Sequence, residues 1–518
     1  MVAEILKARQ DAERGAQFAL RYAALGLVLV IGLLLRCRQI DYSFDADEVF
    51  SIRLATLPFT DMLAGAMADT PHPPLHIILL HLWSGLFGAS ETAARALSVS
   101  LSGAFLLVAW RLLRRFLVQW HWLALGTLAI LAVSPLFVLY GQQARPYALI
   151  TLLAALNLLA FLRFLDGGDW RGRGLCWALS CAALLYTQYM GILLIAVELA
   201  YVLTTGSARS RQFIGCAALG CVAVLPWALM AMGASIQGFD DPLPQVKWMT
   251  APASTDFAWF YVSIFGEARV LRVRWVLLLA ALAACLVVRR ALARRIAPEH
   301  ALLVALAVVP PLLVYLLSVL GDKPLFASRQ LLGSALAFVL ITGLCAAALP
   351  RVLGHVSLAA LVAWAAISVH DAFPAHAKPP WREIAAFVGT HYPAQPVLAG
   401  DWWIETPFDH YARAGRSTPI SLYRASNPGA PALFLCRATR CTRALEVNGF
   451  TARAQPVRRW SWGGAGELEL FELRAAAGAL RGPPRPDGVA LPALSPPGAP
   501  DVVRPDPEPA SPSRIASL

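Results

Sequence analysis

Charge is scarce in this chain. Asp, Glu, Lys and Arg make up 15% of its 518 residues, against 58% apolar residues. Mean hydropathy is +0.58. A soluble protein of this length exposes far more charge, so a polytopic membrane protein is expected. Acidic residues are the scarcer sign, 32 against 44 basic, which leaves a net charge of +12. The basic residues fall in short clusters between apolar runs, the pattern of loops kept on the cytoplasmic side, and no nucleic-acid partner is expected. A Rossmann-type glycine fingerprint is missing, and with it the signature of a soluble nucleotide-binding domain. Residues 1–21 are too polar and charged for a signal peptide, no small-residue cleavage site follows the first apolar run, and none is expected.

Cysteine is sparse as well. Cys37, Cys176, Cys181, Cys216, Cys221, Cys285 and Cys345 lie in or beside apolar segments, as small packing residues. Cys436 and Cys441 lie in a polar C-terminal stretch. A disulfide is favoured there over two free thiols or half of a metal site, because no second pair stands at metal-ligand spacing.

What the chain has in abundance is apolar runs. Taking roughly 17–25 apolar residues as one crossing, spans fall at about Tyr22–Arg36, Arg95–Leu113, Trp120–Tyr140 and Tyr147–Phe164. Two more fit into Leu175–Thr205, followed by Phe213–Met232, Trp275–Val288, His300–Leu320, Leu331–Leu349 and Ser357–Val369. The total is about 11 spans. Placing the N-terminus and the arginine clusters in the cytoplasm satisfies the positive-inside bias. The loops Asp45–Glu48, Gly141–Pro146, Gly233–Arg274 and Asp322–Arg329 then face outward, as does everything after Ala372. Pro74–Phe87 is apolar but short and follows two prolines. It is expected as an interfacial or half-inserted helix, since counting it as a span would invert every later loop.

Residues 1–21 thus form a cytoplasmic N-terminus, and 22–374 a membrane domain whose first outer loop is 37–94. Residues 375–474 change to the composition of a small soluble α/β or α+β module, with strands expected at Val397–Ala399, Ala432–Leu435 and Glu467–Leu473. Residues 475–518 hold 11 prolines and are expected to be disordered.

Three carboxylates, Asp45, Asp47 and Glu48, stand within four residues just beyond the first span. A short acidic run is often no more than a solvated loop, but here the pattern Val49-Phe50, Ile52, Leu54-Ala55 continues as an amphipathic helix. Asp47 and Glu48 would sit at its N-terminus, where ionised carboxylates are favoured, and an ionised carboxylate can take a proton from an acceptor hydroxyl. In Asp69-Thr70-Pro71-His72-Pro73-Pro74 the prolines fix the backbone and present His72 rigidly. Asp69 and His72 suit a divalent metal or a phosphate, although two ligands are thin support for a metal. Arg145, between aromatics at the lip of a span and next but one to Tyr147, suits a phosphate at the membrane surface, where snorkelling to headgroups is the plain alternative. Lys323 and Arg329 offer a second cationic patch on the same face.

In order, these pieces are Asp47-Glu48, His72–Leu75, Leu80–Trp83, Phe87–Glu91 and Gln143–Leu149, with Lys378-Pro379-Pro380-Trp381-Arg382-Glu383 later. Their sequence resembles the family 39 glycosyltransferases of the membrane-embedded C type, relatives of protein O-mannosyltransferases and aminoarabinose transferases. The resemblance covers about Ala46 to Glu383. It implies an α-helical polytopic fold of the C-type glycosyltransferases that takes a sugar, hexosyl or pentosyl, from a polyprenyl phosphate and passes it to a lipid, glycan or protein acceptor. It also implies Asp47 as base or acceptor-orienting carboxylate with Glu48 assisting, Arg145 and Arg329 on the lipid phosphate, and His72, with Asp69, at a phosphate or metal contact. A divalent metal ion is the one cofactor it leaves open. Where many relatives have Gln-Glu-Ala-Arg, this chain has Gln142-Gln143-Ala144-Arg145; an amide is no base, and Asp45 is a candidate to replace the missing acid. The family's frequent Arg-Tyr reads Arg329-Gln330 here.

Composition and the absence of an organelle address fit a bacterial inner membrane, with the site on the periplasmic side. Two other classes stay open. A lipid flippase or transporter predicts ionisable residues at mid-membrane and repeated halves; only Glu198 lies well inside an expected span, and no internal repeat is evident. A non-catalytic assembly subunit is the other.

Overall fold

In lipid a single segment can cross only if its own backbone satisfies every N–H and C=O, which makes each long apolar run a helix. The computed structural model describes residues 2–68, 72–167, 169–238, 251–266, 298–321, 325–375, 378–393, 395–399, 402–412, 417–419, 432–438, 441, 456–462 and 466–473. The chain divides into two units, Met1–Ile40 with Leu54–Ala372 and Asp41–Arg53 with Phe373–Leu518.

In the first unit, six helices among the described residues are long and apolar enough to cross a membrane: Gly15–Cys37, Glu91–Phe116, Tyr147–Leu165, Ser210–Gly233, Pro298–Leu320 and Arg351–Phe373. The pair His121–Val133 and Pro135–Gln142, bent by 52°, forms a seventh as a broken span. Leu75–Phe87, Tyr189–Thr204, Asp256–Phe265 and Leu332–Ala348 are apolar but shorter. This is a multi-pass membrane protein, and each expected span among the described residues falls on an apolar helix; Trp275–Val288 lies outside them. Two expectations change. Trp120–Tyr140 is not one straight span but breaks at Ser134-Pro135. The interval Gly233–Arg274 carries the helix Asp256–Phe265, whose Phe260, Ile264 and Phe265 are buried; its apolar run is too short to register as a crossing.

The core of this unit joins Phe105, Leu131, Phe161, Trp177, Leu303 and Leu336. Close helix approach is made by small residues. At Gly220 a Cβ would lie 2.7 Å from the Ala178 carbonyl oxygen, so only glycine fits. At the face expected to be cytoplasmic, Arg115 grips Asp166 at 2.5 Å and Glu299 at 2.8 Å, tying three helix ends together.

The second unit holds a five-stranded sheet of β1 (Val397–Ala399), β2 (Ser417–Pro419), β3 (Ala432–Arg437), β4 (Arg458–Trp462) and β5 (Gly466–Leu473), in the order β2-β1-β3-β5-β4. β2, β1 and β3 run parallel; β3, β5 and β4 are antiparallel neighbours. One core packs Trp381, Ile384 and Val388 of the helix Trp381–His391, with Phe408 of Trp402–Ala412, against Val397, Leu433 and Leu470. A second groups Leu398, Phe434 and Phe471 with Cys436 and Cys441, which are joined as a disulfide. All three expected strands are present. β2 and β4 are additional: one is three residues long, the other carries Arg458 and Arg459. Residues 475–518 lie outside the described residues.

Candidate active site

The break at Ser134-Pro135 shapes the segment that carries Arg145. Pro135 has no N–H to give the carbonyl of Leu131, and its ring obstructs the preceding turn. The orphaned carbonyls find a donor in Arg36, which is fully buried at the end of the first helix. Its Nη1 donates to Ala132 and Gly32, both at 2.9 Å, and its Nη2 to Leu131 at 3.2 Å and Phe137 at 3.3 Å. A buried cation is tolerable when oxygens replace its water, and here four carbonyls do so. Beyond the bend, Ser102 Oγ donates to Gly141 O at 2.9 Å and Ser98 Oγ to Gln143 O at 2.5 Å. A Cβ at Gly141 would stand 2.6 Å from that Ser102 hydroxyl. The chain then turns tightly, Arg145 N donating to Gln143 O at 2.7 Å, before the helix Tyr147–Leu165 begins.

This turn delivers Arg145, 6% exposed, to the start of the helix Leu75–Phe87. Its Nη2 lies 3.3 Å from His72 Nε2. His76, on the first turn of that helix, is 2% exposed, and neither ring nitrogen has a hydrogen-bond partner. Burial pushes the His76 imidazole down to about 3, and the Arg145 guanidinium and His72 push the same way. It is therefore neutral, with one N–H and one lone pair unengaged. The Arg329 guanidinium sits 6.0 Å from the centre of the Tyr147 ring, which is itself packed edge-on against Tyr140 at 5.0 Å. Arg145 with His72, and Arg329 with Tyr147, thus form two contact pairs within one unit.

A buried guanidinium beside two imidazoles suits an anion. It does not suit a divalent cation, which would meet the positive charge of Arg145 and find the His72 Nε2 lone pair already facing a donor. Among the described residues no group of three His, Cys, Asp or Glu stands ready to hold a metal. Asp69 and Lys323 lie outside the described residues.

The three carboxylates belong to the second unit, at the start of the helix Ala46–Ala55. Two of them form a capping box: Glu48 N donates to Asp45 Oδ1 at 2.9 Å, and Asp45 N donates to Glu48 Oε2 at 3.2 Å. Lys378 joins both, 3.1 Å from Asp45 Oδ2 and in close contact with Glu48 Oε2. Glu48 is fully buried. Burial raises the Asp45 carboxyl above its ordinary range; Lys378 pulls it back, while Glu48 and Asp47 push with burial. Asp47, at the second position of the helix and half-buried, is the acid outside the box. The sequence thus named the loop but missed the sorting within it, although Asp-x-x-Glu before an apolar helix is a cap signature. It also missed His76 and Arg36, for which only their residue types gave a signal, and it had Lys378 only as the first residue of the Lys378–Glu383 motif.

Residues 71–230 match the family model described as dolichyl-phosphate-mannose-protein mannosyltransferase. That stretch carries His72, His76, Arg145 and Tyr147. No curated protein matches the chain. Among solved structures, ArnT from Cupriavidus metallidurans bound to undecaprenyl phosphate is similar at 13% identity, over 89% of this chain and 99% of that one, with a TM-score of 0.56. The archaeal oligosaccharyltransferase AglB from Archaeoglobus fulgidus, in complex with an inhibitory peptide and a dolichol-phosphate, is similar at 13% identity over 82% of this chain and 71% of that one, with a TM-score of 0.49. The fold is that of the membrane-embedded C-type glycosyltransferases, and the family match over residues 71–230 carries the likeness to family 39 that the motifs suggest.

Proposed function

We propose that this protein transfers a sugar from a polyprenyl-phosphate donor to a hydroxyl-bearing acceptor of the cell envelope, on the outer face of a bacterial inner membrane. The observation that carries the proposal is buried Arg145 and His76 beside half-buried His72, a cluster suited to an anion within the stretch that matches the family model. Arg145 holds the lipid phosphate, with Arg329 and Tyr147 supporting it and His72 fixing the guanidinium. Asp47 takes the proton of the acceptor hydroxyl. The acceptor oxygen bonds to the anomeric carbon as the bond from that carbon to the phosphate oxygen breaks, and polyprenyl phosphate leaves with the electron pair. Charge developing on the phosphate is met by Arg145. A single displacement of this kind inverts the anomeric centre.

A transporter gains little support from Glu198. That carboxylate accepts from Trp177 Nε1 at 2.9 Å deep in the helix bundle, a structural hydrogen bond. The test is sugar release by the full-length protein from a panel of polyprenyl-phosphate sugars, wild type beside Asp47→Asn. Release by the wild type alone supports the transferase and names the donor. Silence with every donor, while labelled lipid still crosses proteoliposomes, would replace it with a flippase.

A further inference from the structure

Asp41–Arg53 follows the first membrane helix in sequence, yet it is built into the C-terminal unit. Arg382 donates through Nη2 to Asp41 O at 3.0 Å and through its backbone N–H to Ser43 Oγ at 3.4 Å. Phe44 N donates to the Tyr411 hydroxyl at 2.8 Å, and Arg53 Nη2 to Thr406 O at 3.3 Å. Phe44, Val49 and Ile52 are buried. The strongest tie is Lys378. Its ammonium, 18% exposed, contacts both carboxylates of the capping box, one of which is fully buried.

Consider the loop without that ammonium. Two carboxylates would face each other across one helical turn, Glu48 wholly out of water, with Asp47 between them in sequence. Like charges so placed do not both stay ionised, and removing one partner from a buried ion pair is strongly destabilising. Either a proton enters the box or the helix start opens, and each changes the field and the direction of Asp47. With Lys378 in place, Asp45 and Glu48 are fixed as cap and counter-charge, and Asp47 is held at a defined position on the first turn.

We infer that Lys378 is a positioning residue for Asp47, so that the C-terminal unit is part of the transfer machinery and not an appended acceptor-binding module. This rests on Asp47 acting as the base. It differs from a merely structural tie in what it predicts for the reaction itself.

The test uses the full-length protein with Lys378→Met, Lys378→Arg and Asp47→Asn, the donor being one that the wild type turns over. Lys378→Met is expected to lower kcat about a hundredfold, the scale of a misplaced catalytic group, with the donor KM changed less than about twofold. The acid limb of its pH profile should move up by about one unit as the box loses its cation. Lys378→Arg should restore most of the rate and the wild-type limb. Hydrogen exchange should rise in the peptide covering 41–53 for Lys378→Met, and this readout needs no donor. Unchanged exchange in that peptide overturns the proposal; so does faster exchange with unchanged kcat and pH limb. If Asp47→Asn keeps full transfer while Lys378→Met loses it, the assignment of the base fails and the tie stands.

Discussion

Arg145 Nη2 and His72 Nε2 are 3.3 Å apart, and since a guanidinium can only donate, Nε2 must be the acceptor. This contact holds the Arg145 fork in one orientation. Arg145→Ala is expected to weaken binding of the proposed polyprenyl phosphate about 10- to 100-fold, the worth of a charge-assisted bond. Arg145→Lys should recover only part, because it keeps the charge and loses the fork. Titration of intrinsic tryptophan fluorescence reads both, and an undiminished affinity would place the phosphate elsewhere.

His76 makes a prediction about acid. Its folded-state value of about 3 lies below the ordinary 6.5, so between those limits the unfolded chain binds more protons. Stability is full above about pH 6.5 and falls as the pH drops toward 3. From pH 7 to pH 5 the loss due to this residue is about 2 kcal/mol. His76→Leu should lack that part of the slope. Thermal unfolding in detergent at the two pH values, compared between the proteins, checks it; equal slopes would remove His76 from the account.

Asp45→Ala should cost about 1 kcal/mol through loss of the N-cap. Asp45→Asn, which caps as well, should restore it. If Asn were as damaging as Ala in a melting experiment, the carboxylate charge and not the cap would be what the loop needs.

Arg36→Met strips the donors from the carbonyls of Leu131 and Ala132 in apolar surroundings, and should destabilise the protein by about 3 kcal/mol. Because those carbonyls sit at the bend leading to Arg145, the variant should also bind the proposed polyprenyl phosphate more weakly. A loss of melting temperature with undiminished lipid affinity would separate the bend from the phosphate site.

The spans were legible because run length is set by bilayer thickness and needs no partner. The bend was not, although Pro135 is visible, because a proline in a membrane helix is tolerated or breaking depending on what meets the freed carbonyls. Arg36 stood only as the last residue of the first expected span; its acceptors outside its own helix lie about a hundred residues later in sequence. The carboxylate loop was legible as a charge anomaly and the helix after it from its apolar run, though that helix is buried on nearly every side rather than amphipathic. Its capping box follows the local Asp-x-x-Glu pattern, but the cation that joins both acids of the box, Lys378, lies 330 residues from Glu48 and leaves no local trace. His76 was hidden inside an apolar run, where a lone imidazole draws no notice until a guanidinium is brought beside it.

The order of synthesis gives the Arg36 clamp a further meaning. The first helix is made and can enter the bilayer about a hundred residues before the carbonyls of Leu131, Ala132 and Phe137 exist. Until then its guanidinium has no built acceptor outside its own helix and must stay near water at the membrane surface. Insertion of this helix and its final seating are therefore separate events in biogenesis, the second waiting for the broken span at Pro135 to arrive.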